Sequence, residues 1–387
     1  MLKNLLVNCL ALLNPVNRAI PKKNIILLYS NLGFRDNVRA FYDYLIENGA
    51  AARYTIVCSL NDYKHQHAVC GGVKFVSPLA GFFYFFRAKI CCYCFGKFPV
   101  KPSAAQTVVN FTHGMPIKTL GNTQRGNENA DYCFFTYVLA TSEFYRGIIK
   151  RCFGCAAEQV AVCGMPRTDA LLSPASEPER DALFRALGTA AARLIVWLPT
   201  FRQTDEPEVF PLCRAELEAL NGICKAADML LLIKPHPLSV SEPALFAGLS
   251  HISMKPQAAL DAAQMSLYRL IKYSAALITD YSSVYLDYLL LDRPVAFMMR
   301  DFSEYASGRG FVLENPLSYL AGDRLEGAAD LSAFISGIAA GADAYAAQRR
   351  QVCAVMNAHT DGQSCARVAA LCGIELPAEE GRADDGR

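Results

Sequence analysis

At 387 residues the chain is long enough for two domains of ordinary size, each with its own core. Apolar residues make up 52% and charged residues 19%, which excludes a disordered chain, and a formal net charge of +2 supplies no basic field for nucleic acid, so no nucleic-acid partner is expected. Fifteen cysteines are too dilute at this length for a secreted disulfide scaffold, and a reducing cytosol suits them better. Cys152 and Cys155 form a lone C-x-x-C with no second pair at zinc spacing, and Cys91, Cys92 and Cys94 lie in an apolar run. Inert buried thiols are therefore expected, and no metal site.

In chain order, Leu2, Leu5, Leu6, Cys9, Leu10 and Leu13 fall on one helical face, with Asn4, Asn8 and Ala11 opposite, and Arg18, Lys22 and Lys23 follow. The run is too short to span a bilayer and lacks a convincing cleavage site, which leaves two readings of residues 1–22: an in-plane membrane helix, or a helix on the protein's own core. The phenylalanine-rich stretch 79–98 is interrupted by Arg87 and Lys89, so it reads as helix plus strand of a core, or as an aromatic face dipping into a membrane interface. Strands are predicted at 24–29, 54–58, 73–76, 90–95, 106–111, 132–137 and 160–163, with helices at 36–48 and 142–152. This is one Rossmann-like unit, over residues 23–172. A turn-rich segment at 173–178 opens a second, over 173–340: helices at 179–187 and 213–227, and strands at 194–198, 229–234, 275–278 and 295–299. Residues 341–376 are expected as helices that pack back, and the charged tail 377–387 as disordered.

Five loops that follow apolar runs concentrate polar residues, at the carboxyl ends of strands where open parallel sheets bind ligands. In Thr279-Asp280-Tyr281-Ser282-Ser283 a strand runs in and an apolar-periodic helix runs out. Unpaired N–H groups and hydroxyls there suit a phosphate, although an ordinary helix cap has the same composition. In 113–121, Gly114 permits close backbone approach, Pro116 stiffens the turn, and His113 and Lys118 offer a proton acceptor and a cation. Arg167 and Asp169, in Gly164-Met165-Pro166-Arg167-Thr168-Asp169, form either an anion fork or a capping pair. Thr200 and Arg202 end another strand, where an interdomain salt bridge is the alternative; His236 is bracketed by Pro235 and Pro237 after residues 229–233. Two histidines among cations and hydroxyls, with no carboxylate or cysteine at ligand spacing beside them, point to an anionic substrate rather than a metal.

These motifs, in this order, resemble the CDP-glycerol glycerophosphotransferases, the primases and polymerases of teichoic acid and related phosphate-linked capsules: H-G-x-P-x-K-x-x-G at 113–121, G-x-P-R-x-D at 164–169, P-T-x-R at 199–202, K-x-H-P at 234–237 and T-D-Y-S-S at 279–283. The stretch 305–311 is similar to a later element of the family, so the resemblance covers about residues 24–310. It implies an α/β protein of GT-B architecture, two Rossmann-like domains with parallel sheets facing a central cleft, attached peripherally to the cytoplasmic face of the membrane. It implies a CDP-linked donor, CDP-glycerol or another CDP-polyol, and a lipid-linked or polymeric glycan acceptor; the cations and the helix terminus could serve phosphoryl transfer without an obligatory metal. His113 is then the general base, and His236 stabilises departing CMP. Ser282 and Ser283 hold the donor's phosphates, with Thr279, Asp280 and Arg202 near them and Gly114, Lys118 and Arg167 as further substrate contacts. Two alternatives stay open. One is a GT-B glycosyltransferase using a nucleotide sugar, which needs a late carboxylate such as Asp287 or Asp292; the other is a silent nucleotide-binding subunit.

Overall fold

The computed structural model describes residues 13–200, 211–235, 243–263 and 265–377. The chain divides into two compact units, one of residues up to 115, 121–169 and from 361 on, the other of residues 116–120 and 170–360.

The first unit is built on a seven-stranded parallel sheet: β1 (Lys23–Ser30), β2 (Thr55–Leu60), β3 (Val73–Val76), β4 (Ala88–Tyr93), β5 (Thr107–Asn110), β6 (Tyr137–Ala140) and β7 (Val160–Val162). The spatial order is β3-β2-β1-β4-β5-β6-β7, so the winding reverses between β1 and β4, where Leu27 pairs with Val57 on one side and Cys91 on the other. The last six residues of β1 are buried, as a strand covered on both faces requires. Local signals set the helix ends. Ser142 accepts a hydrogen bond from the Tyr145 N–H at the start of helix Glu143–Phe153, and Gly154, at φ 64°, closes it in the left-handed conformation a Cβ would disfavour.

The second unit repeats the plan with six parallel strands: β8 (Arg193–Trp197), β9 (Met229–Ile233), β10 (Ile252–Met254), β11 (Ala276–Thr279), β12 (Val295–Met298) and β13 (Asp323–Leu325). Their order, β10-β9-β8-β11-β12-β13, reverses between β8 and β11. Leu217, Leu220, Leu331 and Ile335, from helices Arg214–Ala226 and Ala328–Ala339, close over Trp197, Leu231 and Ile278 in one core. Each such side chain contributes roughly 1.5–3 kcal/mol by leaving water.

Several elements differ from expectation. The strand predicted at 132–137 is β6, and it starts only at Tyr137. The aromatic residues before it are buried through their side chains: Phe134 lies beneath Lys97 and Lys101, at 3.9 and 4.4 Å, and Phe135 meets Phe153 edge-on. β10 and β13 are three-residue strands that the apolar pattern does not reveal. The late helical stretch is two helices, Ala346–Met356 in the second unit and Ser364–Leu371 in the first. The phenylalanine-rich stretch is helix Pro78–Phe85 followed by β4. Residues 1–12 and the tail 378–387 lie outside the described residues; of the N-terminal run, Leu13–Ala19 is helical. Among the described residues no helix is long and apolar enough to cross a membrane.

Candidate active site

In the first unit the polar residues gather at the carboxyl ends of β1, β4, β5 and β7, beside the point where the winding reverses. The chain leaves β5 through Thr112, at φ 58°, a conformation a β-branched residue adopts only under constraint, at a cost of order 1–3 kcal/mol. Four hydrogen bonds supply that constraint. The Thr112 N–H donates to Asn110 Oδ1 (2.9 Å), and its hydroxyl accepts from the Gly114 N–H (3.3 Å). Its carbonyl accepts from Cys94 Sγ (2.8 Å) and from Asn37 Nδ2 (3.4 Å). Gly114 follows at φ 114°, which glycine alone tolerates freely.

His113 therefore projects from a turn fixed on both sides. Its ring stacks on Phe95, with centroids 4.2 Å apart, and its side chain is open to solvent at the edge. The protein packed around the imidazole lowers its pKa, the Asp36 carboxylate opposes that, and the Arg167 guanidinium adds to it. The balance favours the neutral imidazole, the form that accepts a proton.

Arg167 is buried, at 5% exposure. Its Nη1 donates to both carboxylate oxygens of Asp36, at 2.9 and 3.0 Å, and to the His113 carbonyl at 2.8 Å. Asp169 is not its partner. That carboxylate instead accepts from the N–H groups of Ser364 and Cys365, at 2.9 and 2.8 Å, and so caps the last helix.

In the second unit the ends of β8 and β11 meet where its winding reverses. Asp280, 3% exposed, accepts from the Thr200 N–H at 2.8 Å and from the Thr200 hydroxyl. Thr279 is fully buried and donates its hydroxyl to the Leu198 carbonyl at 3.0 Å. Tyr281 stacks on Tyr305 at 3.9 Å and donates to Asp301 at 2.9 Å. Ser282 and Ser283 remain half-buried, with partly open side chains; Ser283 makes no cap with its hydroxyl. The helix they open, Val284–Tyr288, is short and runs into a tighter turn at Leu289–Leu291, so hydroxyls and local N–H groups rather than a long macrodipole are what the turn offers an anion.

The motif at 113–121 divides. His113 to Met115 belong to the first unit and residues 116–120 to the second, where Lys118 pairs with Phe311 and the Thr119 hydroxyl donates to the Arg309 carbonyl. This engages the late element at 305–311. Arg202 and His236 lie outside the described residues. Asp287, on helix Val284–Tyr288, is 2% exposed and takes the Tyr268 hydroxyl. Asp292 is held by Arg349 and Arg350. Among the described residues no cluster of three or more histidine, cysteine or acidic side chains is arranged to hold a metal.

Asp36, Asn37, Phe95 and Asn110 surround His113 without having stood out in the sequence. One signal was available: Asp36 and Asn37 open the helix that follows β1 after a five-residue loop, at the reversal point, where a ligand site is expected in a doubly wound sheet.

The chain is similar to the teichoic acid glycerol-phosphate primase of Bacillus spizizenii, 29% identical over 181 residues that make up 47% of this chain and 44% of the primase. It is 26% identical over 191 residues to the Bacillus subtilis primase, covering 49% of this chain and 46% of that protein, so the matched stretches span less than half of these two relatives. The teichoic acid glycerol-phosphate transferase of Staphylococcus aureus is 26% identical over 322 residues, 76% of this chain and 79% of that one. A solved structure of the wall teichoic acid polymerase TagF superposes with a TM-score of 0.75 at 20% identity, covering 91% of this chain and 89% of that chain, which establishes a fold of two parallel-sheet units of the GT-B kind. The family model of CDP-glycerol:poly(glycerophosphate) glycerophosphotransferases matches residues 12–372, and the chain belongs to that family.

Proposed function

We propose that the protein is a transferase that moves glycerol phosphate from CDP-glycerol to a lipid-linked or polymeric glycan acceptor in the synthesis of a teichoic-acid-like polymer. The observation that carries this reading is the His113 imidazole, solvent-open on a turn fixed by buried hydrogen bonds, in a chain that the family model matches over residues 12–372. His113 takes the proton of the acceptor hydroxyl as that oxygen attacks the phosphorus bearing glycerol. The new P–O bond forms while the bond to the bridging oxygen breaks, and CMP departs with that oxygen. Ser282 and Ser283 bind the donor's phosphates, Gly114 leaves room for substrate beside His113, and Lys118, Arg202 and His236 supply positive charge or a proton to the leaving group. Positioning and electrostatics are what phosphoryl transfer chiefly asks of a protein.

The same proposal includes work at the cytoplasmic face of the membrane. Helices Leu13–Ala19 and Pro78–Phe85 border a groove of about 520 Å³ lined by Leu13, Val16, Ile20, Phe82 and Phe83 among others. Val16, Leu79 and Phe83 are exposed, and so are Arg18, Lys23, Arg87 and Lys89. An apolar groove with Arg87 in its lining, and with exposed cations close by in sequence, suits an anionic lipid surface.

The test is CMP release by the full chain with CDP-glycerol and a lipid-linked acceptor, with CDP-ribitol in parallel. His113→Ala is expected to lower kcat by about 10²–10⁴-fold, the usual worth of a general base. Near-normal turnover in that variant, or no CMP from any CDP-polyol, overturns the reading.

A further inference from the structure

Two of the four non-glycine residues with positive φ among the described residues, Asp36 and Thr112, both at 58°, belong to one bonded cluster, Asp36 through the buried Arg167 side chain and Thr112 through Asn37. A single guanidinium nitrogen bridges the Asp36 carboxylate and the His113 carbonyl, at 2.8–3.0 Å. The Arg167 N–H donates to Asn37 Oδ1 at 3.1 Å, and the same amide reaches the Thr112 carbonyl with its nitrogen. The contacts come from separate parts of the chain: Asp36 and Asn37 after β1, Cys94 and Phe95 after β4, Asn110 at the end of β5, and Arg167 after β7. All converge on the backbone that carries His113.

We infer that Asp36 and Arg167 are positioning residues for His113, holding its strained turn so that the imidazole stacks on Phe95 with its edge free, and that Arg167 is not a ligand of the donor's phosphates. Three acceptors already use Nη1, the neighbouring carboxylate offsets the charge, and the side chain is almost entirely covered. An arginine directly after a proline, on a strand-end turn, would otherwise be read as an anion fork; here the anion it grips is the protein's own. Strained backbone persists only where surrounding contacts over-determine it, and this cluster is such a set of contacts. The inference rests on the reading of His113 as the base.

The charged groups facing His113 are Asp36 and Arg167, and the nearby Cys94 thiol is kept neutral by burial. Asp36 raises the imidazole's pKa and Arg167 lowers it, so removing each moves the titration in opposite directions. The experiment compares Arg167→Met, Arg167→Lys and Asp36→Asn in the full chain. It follows CMP release with a lipid-linked acceptor, CDP-glycerol affinity by calorimetry, and the His113 imidazole titration by NMR, assigned through His113→Ala. For Arg167→Met the expected result is a kcat roughly 10²-fold lower with donor affinity within about threefold of wild type, the pattern of lost orientation rather than lost binding. Arg167→Lys, whose ammonium can reach the same acceptors, recovers part of the rate. The His113 pKa rises in Arg167→Met and falls in Asp36→Asn. In a His113→Ala background Arg167→Met adds less than about threefold, because the two act as one unit.

A donor affinity about tenfold or more weaker with kcat retained makes Arg167 a phosphate ligand and overturns the inference. An unmoved His113 titration in both variants, with activity falling only as melting temperature falls, overturns it too. If His113→Ala turns over normally, the base reading fails, while the titration and affinity measurements still decide whether the pair holds His113.

Discussion

Replacing Asp280 with alanine separates two roles that its place in the pentapeptide 279–283 leaves open: a contact with substrate, or a tie between strand ends. Asp280 is 3% exposed and accepts both the N–H and the hydroxyl of Thr200, joining the end of β11 to the end of β8. Hydrogen bonds to a charged group contribute roughly 1.5–3 kcal/mol each, and the relief of a desolvated charge offsets part of the loss, so Asp280→Ala is expected to cost about 3 kcal/mol. For a unit of this size each kcal/mol moves the melting temperature by roughly 2–4 °C, which gives a fall of about 6–12 °C. Asp280→Asn should cost only about 1 kcal/mol: its carbonyl still takes the Thr200 N–H, and the Thr200 hydroxyl can turn to accept from the new amide. Thermal denaturation provides one readout, and calorimetric titration of CMP well below the transition provides the other. The reasoning fails if Asp280→Ala melts within about 2 °C of wild type yet loses CMP affinity tenfold or more, because a carboxylate that costs nothing to remove is not a tie.

Acid should weaken the second unit through Arg349, which is 1% exposed and bonded to Asp343 and Asp292. Arg349 holds the Asp343 carboxyl below its ordinary pKa, so the fold favours the ionised form. The resulting stability is present above the unfolded value of about 3.9 and is lost as pH falls through the lower folded one. Arg349→Met should therefore be less stable at pH 7 and show a shallower loss of melting temperature between about pH 5 and pH 3 than wild type; parallel profiles would contradict the linkage. At the apolar groove, Leu79→Ser with Phe83→Ser removes two exposed side chains, each worth roughly 1.5 kcal/mol or more if buried in lipid. Sedimentation with phosphatidylglycerol vesicles should fall about 10²-fold and weaken further in high salt; unchanged binding would remove this face from the membrane proposal.

Most strands were legible because parallel strands buried on both faces are unbroken apolar runs, as in 229–233, which is buried throughout. Where burial comes from side chains without a ladder, as at Phe134 and Phe135, the same composition misleads. β10 and β13 are too short for any periodicity, and β13 has only one buried residue. Among the described residues the polar motif residues do lie after strand ends, but the sequence could not assign their partners. Arg167 meets Asp36 across 131 positions of sequence and Asp169 meets Ser364 across 195, separations at which spacing carries no information. The passage of residues 116–120 into the second unit has no compositional signal either.

The motif residues of the described chain fall into two physical kinds, and burial with a named partner separates them. Thr279, Asp280, Arg167 and Asp169 have side chains committed to strand ends, turns or helix N–H groups. His113, Ser282 and Ser283 stand on backbone fixed by such commitments while their own side chains keep an open edge. Both kinds look alike in sequence, since each is a polar residue after an apolar run. Their variants should differ in kind. Loss of an open side chain removes a contact with substrate or transition state and leaves melting unchanged; loss of a committed one lowers stability, or misorients the open group and lowers kcat with binding intact. On that basis the pentapeptide 279–283 is not a uniform phosphate loop. Its first two residues hold β8 against β11, its tyrosine anchors in an aromatic cluster, and its two serines alone keep partly open side chains, Ser282 while accepting from the Val284 N–H at 3.4 Å.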